Sequence, residues 1–374
     1  MSKPGFAVPK TCCVTGGSGF VGQRLVEMLI ERGAQRVVSF DIAPKTKSAL
    51  DSTKIVYMQG DLTNFEDVSK ACKGSECVFH IAALVGPYHA KEAYTKVNYE
   101  GTVNVLEACK ALGIKKIVMS SSPSTRFPYP DPNISGLSEA QLFEKNGGDY
   151  AKKFLQPYAE TKALGEKAIL DACGNKAGEL LTIAVAPHQV YGPKDGLFLP
   201  SLLQVAGSGK LRIFGPGHNL ISFCHVDNYC HGLILGAEAL YPASPALGRF
   251  YVITDGPAVK FWKVLDQAVV AMGFTSLWSK THLPTWFMMG LAYLVLVIGN
   301  LYSWITGTPS HVVNFRLKLN PFAVKMLVIN RYFDISAAEK DLKYVPVVPF
   351  EQGWADTIEW FKVHWLPSYH SANK

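Results

Sequence analysis

Apolar residues in the first half of the chain fall into short β-branched runs separated by stretches with helical spacing. TCCVT, residues 11–15, is brief, apolar and β-branched, which predicts a buried strand. FVGQRLVEMLIERG, residues 20–33, carries apolar side chains three and four apart and predicts a helix against that strand. The alternation continues: RVVSFDI, KIVYMQGDL, ECVFHIAAL and KKIVMSSS read as four more strands, and NYEGTVNVLEACKALG as an intervening helix. This rhythm predicts the α/β class with a doubly wound parallel sheet. We expect that unit over residues 1–190 and a smaller substrate-binding region over 191–374, with some return to the sheet around 219–240.

One stretch breaks the rhythm. LPTWFMMGLAYLVLVIGNLYSWI, residues 283–305, contains no charge and is long enough to cross a bilayer as a helix. Aromatic residues lie towards both of its ends, as at membrane interfaces. A second apolar stretch, NPFAVKMLVI, follows Arg316 and Lys318. A true span would put everything after Ile305, including the helical-looking FEQGWADTIEWFKVHW, on the opposite side from the first unit, and splitting it off would expose apolar surface. Monotopic or hairpin insertion is therefore favoured, and single-pass anchoring stays open.

The first strand and helix are joined by TGGSGFVG, residues 15–22. In such a loop Gly16 permits a tight turn, Gly19 lets backbone approach a pyrophosphate, and Gly22 lets the helix close on the strand, while the helix N-terminus offers N–H groups to the anion. The second strand runs into Asp41, where a carboxylate can accept bonds from ribose hydroxyls. That favours NAD, with NADP left open by Arg24, Arg36, Lys45 and Lys47 nearby. Asp61 and Leu62 follow the third strand, placed to reach the adenine, and the small residues Ala82 and Ala83 follow the fourth.

The order TGGSGFVG, GDLTN, HIAA, VNYEGT, VMSSS and PYAETK resembles the extended short-chain dehydrogenase/reductase superfamily over nearly the whole chain. The resemblance implies a catalytic set of Ser122, Tyr158 and Lys162, with Ser121 as the alternative serine, and adds Phe20, Val21, Lys162, Pro187 and Val190 to the cofactor contacts. A phenol is a poor base at neutral pH, and a lysine one helical turn away would favour its ionised form. Tyr158 would take the alcohol proton while hydride leaves for the nicotinamide, with Ser122 hydrogen-bonded to the substrate oxygen.

VAPHQVYGPKD, GPGHNLISFCHVDNYCHGLILGAEAL and the segment after Gly248 resemble the 3β-hydroxysteroid dehydrogenase branch, and within it the members that oxidise and decarboxylate 4α-carboxysterols. Ala186 departs from the arginine many relatives carry there. This resemblance implies a sterol or steroid substrate, a lipid membrane as surface, the endoplasmic reticulum with the catalytic part facing the cytosol, and no nucleic acid. It leaves open a 3β-hydroxysteroid dehydrogenase with Δ5-4 isomerase activity, a non-enzymatic membrane-bound NAD-binding protein, and a homodimer or association with other sterol-pathway enzymes.

Composition adds little against this. The chain has 374 residues, 48% of them hydrophobic, and a mean hydropathy of +0.11 that the 283–305 stretch partly explains. A net charge of +7 is scattered, which suits anionic headgroups better than nucleic acid. The eight cysteines include no CxxC pair; Cys12, Cys13, Cys77 and Cys109 read as reduced core residues. Cys224, His225, Cys230 and His231 match no common zinc spacing, so no metal is expected. MSKPGFAVPK lacks an apolar h-region, so no cleavable signal is expected. Residues 127–149, rich in Pro, Gly and Asn, read as an active-site loop between Ser122 and Tyr158.

Overall fold

The computed structural model describes residues 8–86, 89–317 and 319–372, so most of the N-terminal stretch read for a signal lies outside the described residues. Five strands, β1 (Thr11–Thr15), β2 (Arg36–Asp41), β3 (Ile55–Gln59), β4 (Cys77–His80) and β5 (Lys116–Ser120), form one sheet with Leu181–Pro187 and Phe250–Ile253. Its order is Phe250–Ile253, Leu181–Pro187, β5, β4, β1, β2, β3, and every neighbouring pair is parallel. The winding direction reverses between β1 and β4, so the ligand crevice opens at the C-terminal ends of those two strands.

Helix α1 (Phe20–Glu31) buries Leu25, Val26, Met28 and Leu29, the face its apolar spacing marks out. Each such side chain contributes about 1.5–3 kcal/mol by leaving water. Helix Val226–Glu238 joins the same core through Leu233, Ile234 and Ala237, and Phe250–Ile253 supplies the outer strand, so residues beyond 190 complete the sheet.

A second sheet, in the order Ala258–Lys260, Leu220–Ser222, Arg331–Phe333, Ile134–Leu137, ties distant parts of the chain together. The 127–149 segment is thus more than a loop: it contains strand Ile134–Leu137 and helix Glu139–Lys145, which opens with a capping box between Ser138 and Gln141. The strand was hidden because its partner, Arg331–Phe333, lies almost two hundred residues away.

Helix Thr285–Thr306 matches the uncharged stretch. Among the described residues it is the helix long and apolar enough to cross a membrane by length and composition, and only 17% of its most apolar window is buried. At 1.5 Å per residue it extends about 33 Å. Met288, Ala292 and Gly299 turn inwards, the first two packing with Val324 of helix Pro321–Val328, while Trp286 and Trp304 near the ends are 77% and 81% exposed. Before the helix, the Gly215 N–H donates to the Leu283 carbonyl at 2.8 Å; after it, Arg331 pairs with both Ile134 and Ile221. Both ends of the apolar excursion are therefore fastened to one body.

Candidate active site

At the switch point the glycine loop is held by contact rather than by composition. Gly16 takes φ +73°, and a Cβ there would stand 2.8 Å from the Ala82 backbone. At Gly22 a Cβ would lie 1.9 Å from the Gly16 carbonyl oxygen, so α1 can sit this close to the loop only with glycine. Gly17, which spacing alone did not single out, is equally confined: its Cβ would meet Ser39 Oγ at 2.2 Å. Helix α1 starts with no side-chain cap and no acidic residue in its first turn, leaving the N–H groups of Phe20, Val21 and Gly22 in a positive N-terminal field. That arrangement fits a dinucleotide pyrophosphate.

Asp41 ends β2 beside the loop. Its carboxylate accepts from Ser18 N–H at 3.0 Å and Ala43 N–H at 2.9 Å, which fixes its position at the crevice. Asp61 accepts from Thr63 N–H at 2.8 Å, and Leu62 is buried where a Cβ on Gly101 would touch it. Ala82 N–H donates to Thr15 Oγ1 at 3.2 Å, and Ala83 follows it along the crevice floor. Behind them His80 bridges Thr15 and Thr102, each at 2.8 Å; burial pushes its pKa down to about 3, so the ring is neutral.

Tyr158, Lys162 and Glu166 stand at successive turns of helix Pro157–Asp171 and so share one face. Pro157 occupies the first turn, where its fixed φ suits helix initiation. Gly165 allows close docking, since a Cβ there would lie 2.4 Å from the Asn98 carbonyl oxygen. Asn98, in the π-helical turn Thr95–Glu100, in turn clamps Leu84: it accepts from Leu84 N–H at 2.7 Å and donates to its carbonyl at 3.0 Å. The strand end carrying Ala82 and Ala83 and the helix carrying Tyr158 are thereby positioned together.

The two candidate serines face different partners. Ser122 acts on the Tyr158 phenol, favouring its ionised form, and its hydroxyl hydrogen-bonds Ser124 at 2.8 Å. Ser121 hydrogen-bonds Glu166, which also accepts from Tyr150 at 3.0 Å and forms a buried ion pair with Arg126. Pro123 opens the 3-10 turn Pro123–Arg126 directly after Ser122, turning consecutive hydroxyls to opposite sides.

The ionisation pattern differs from the sequence expectation. Burial pushes Tyr158 up to about 12, and Ser122 pulls the other way. Lys162 is only 1% exposed, and burial pushes it down to about 8 against the pull of Glu166. The net effect on the phenol in the cofactor-free protein is thus set by burial, which raises it.

Pro187 ends its strand, and Val190 pairs with Cys224. Ala186, where many relatives carry arginine, is fully buried opposite Val252. His225 caps helix Val226–Glu238 by accepting from Asp227 N–H, Cys230 is buried within that helix, and His231 pairs with Arg32. Among the described residues no group of three or more His, Cys, Asp or Glu stands together as a metal site. All eight cysteines are unpaired, and seven are buried.

Sequence motifs did not single out Asn98, Arg126, Tyr150 or Glu166. Glu166 was detectable in principle as the third residue of the Tyr158 spacing; Arg126 and Tyr150 join it only through tertiary folding.

The fold and crevice are those of a Rossmann oxidoreductase that binds a dinucleotide. Residues 13–284 match the 3-beta hydroxysteroid dehydrogenase/isomerase family. The chain belongs to this family, and it is an NAD(P)-dependent oxidoreductase acting on CH–OH groups. It is 33% identical to the mouse sterol-4-alpha-carboxylate 3-dehydrogenase, decarboxylating, over 94% of this chain and 91% of that one. It is also 33% identical to a 2-alkyl-3-oxoalkanoate reductase of Shewanella oneidensis over 91% and 83% of the two chains. A solved dTDP-glucose 4,6-dehydratase from Streptomyces venezuelae with NAD bound superposes with a TM-score of 0.68 at 19% identity, covering 96% of this chain and 99% of that one.

Proposed function

We propose that this enzyme oxidises the 3β-hydroxyl of a 4α-carboxysterol to the ketone and that the product decarboxylates. The observation that carries the reading is Tyr158, with Ser122 favouring its ionised form and Lys162 one turn away on the same helix face, beside the dinucleotide crevice. Both curated relatives above bear names that place an oxidisable or reducible carbon β to a carboxylate. Bound NAD would supply the hydride acceptor, held by Gly16, Gly19, Phe20, Val21, Gly22, Asp41 and Lys162.

In the cofactor-free protein the phenol of Tyr158 is protonated; the positive charge of bound NAD beside it would favour loss of that proton to solvent, after which the phenolate takes the hydroxyl proton while Ser122 holds the same oxygen. Loss of hydride and proton from the alcohol gives a β-keto acid. Its C–CO2 bond then breaks with the electron pair passing to the ketone as an enolate, which takes a proton from water. No further cofactor is required for that step.

The exposed apolar helix Thr285–Thr306 supports a lipid-phase substrate, and the fastening of both its ends to one body supports monotopic insertion over spanning. The endoplasmic reticulum membrane, with the catalytic part facing the cytosol, is the corresponding location. Residues 191–374 form the substrate-binding region together with strand Ile134–Leu137.

The test is nicotinamide reduction by detergent-purified protein offered a 4α-carboxy-3β-hydroxysterol or a 3β-hydroxy-Δ5 steroid. Turnover of the first with release of carbon dioxide is expected. Turnover of the second alone, with double-bond migration, would reassign the enzyme as a steroid dehydrogenase/isomerase.

A further inference from the structure

Arg331 is an anomaly for a folded protein. It is only 8% exposed, and no carboxylate pairs with it among the described residues. Its Nη2 donates to the Met326 carbonyl at 2.8 Å and its Nη1 lies 3.4 Å from His188 Nε2, while Nε is buried without a hydrogen-bond partner. Arg126, by contrast, is buried against Glu166. An uncompensated buried cation is costly, so a guanidinium kept this way requires a reason.

His188 shows how the group is held. Its Nδ1 lies 2.7 Å from the Ser222 carbonyl oxygen, which can only accept, so Nδ1 carries the proton and Nε2 accepts from Arg331. The ring packs 4.9 Å from Phe333 and stays neutral, its pKa pushed down to about 3 by burial and by Arg331. His188 thus orients Arg331 without neutralising it.

The place is the substrate side of the crevice. Ser120 lies opposite Val185 in the sheet, so Ser122 and His188 both follow the C-terminal ends of these two neighbouring parallel strands. Strand Arg331–Phe333 pairs with Ile134, in the segment between Ser122 and Tyr158. The glycine loop follows β1, three strands from Leu181–Pro187. At about 4.8 Å per strand that is roughly 14 Å away, so the cofactor pyrophosphate has its own site elsewhere.

We propose that Arg331, oriented by His188, recognises the carboxylate of the substrate. The inference rests on the function proposed above and adds the residue that selects acids from neutral sterols. A guanidinium suits the task because its planar N–H donors match a carboxylate, and a single negative charge balances the buried cation.

The experiment uses the full chain in detergent with NAD, a 4α-carboxy-3β-hydroxysterol and its methyl ester, and reads the acid-to-ester ratio of kcat/KM. In Arg331→Met that ratio should fall about 10- to 100-fold, with Arg331→Lys in between, as expected for losing a charge-assisted bond. NAD affinity reports whether each variant is folded. An unchanged ratio in folded Arg331→Met would overturn the assignment. Should that variant not fold, the wild type decides by thermal shift: stabilisation by the acid well above that by the ester supports the assignment, and equal shifts overturn it. A wild type that oxidises neither compound would sink the proposed reaction, while the same thermal shift would still decide whether Arg331 holds a carboxylate.

Discussion

Arg126 forms an ion pair with Glu166, a carboxylate with no exposed surface one helical turn beyond Lys162. The guanidinium is also stacked 3.7 Å from the centre of the Phe250 ring, so the pair links the Tyr158 helix, the turn after Ser122 and the outermost sheet strand. Glu166→Gln would leave that buried cation without a counter-charge. We expect a loss of about 3–5 kcal/mol in folding stability, measured by denaturant titration. A midpoint equal to the wild type's would show that the pair does not brace the site.

The opposite orientations of Ser121 and Ser122 separate structure from chemistry. Ser122→Ala should lower kcat by about 10²–10³ with NAD affinity retained, the scale seen when an oxyanion-type donor is removed. Ser121→Ala should chiefly lower stability, by about 1 kcal/mol. If Ser121→Ala had the larger effect on kcat, the assignment between the two would be reversed. Tyr158→Phe should bind NAD and show no measurable turnover; surviving activity would exclude it as the base.

Lys162 gives a pH signature in the cofactor-free protein. Its folded pKa of about 8 lies below the ordinary 10.5, so the fold disfavours its charged form. The unfolded chain binds more protons between those two values, and stability should rise with pH across that window and fall as pH drops towards 8. Lys162→Met should abolish this dependence and, at pH 7, stabilise the protein by on the order of 2 kcal/mol while eliminating turnover. Melting curves of both proteins across the window would show parallel behaviour if the idea were wrong.

The apolar face of helix Thr285–Thr306 should place the protein on lipid. Val297 and Leu301, 62% and 53% exposed, lie one turn apart on it. Val297→Asp with Leu301→Asp should reduce flotation with phospholipid vesicles at least tenfold while leaving NAD affinity intact. Equal flotation of the variant would rule this face out as the membrane contact.

Much of the fold was legible because its signals are local. Strand alternation, the apolar face of α1, the glycine loop and Asp41 are each set by residues within a few positions of one another. The Tyr158 and Lys162 spacing was equally visible, since one helical turn fixes both on a face. Strand Ile134–Leu137 was not legible, because its partner lies far along the chain and its Pro- and Gly-rich flanks resemble a loop.

By itself, then, the chain's pattern determined the Rossmann sheet, the crevice and the uncharged helix, all of which follow from periodicity and backbone sterics. Which serine meets Tyr158, how Arg126 and Tyr150 gather on Glu166, and that Arg331 is buried without a counter-charge were decided only by tertiary structure. The ionisation of Tyr158 and Lys162 belongs to the same group. These are properties of desolvation and of contacts between distant residues, and neither quantity exists until the chain has folded.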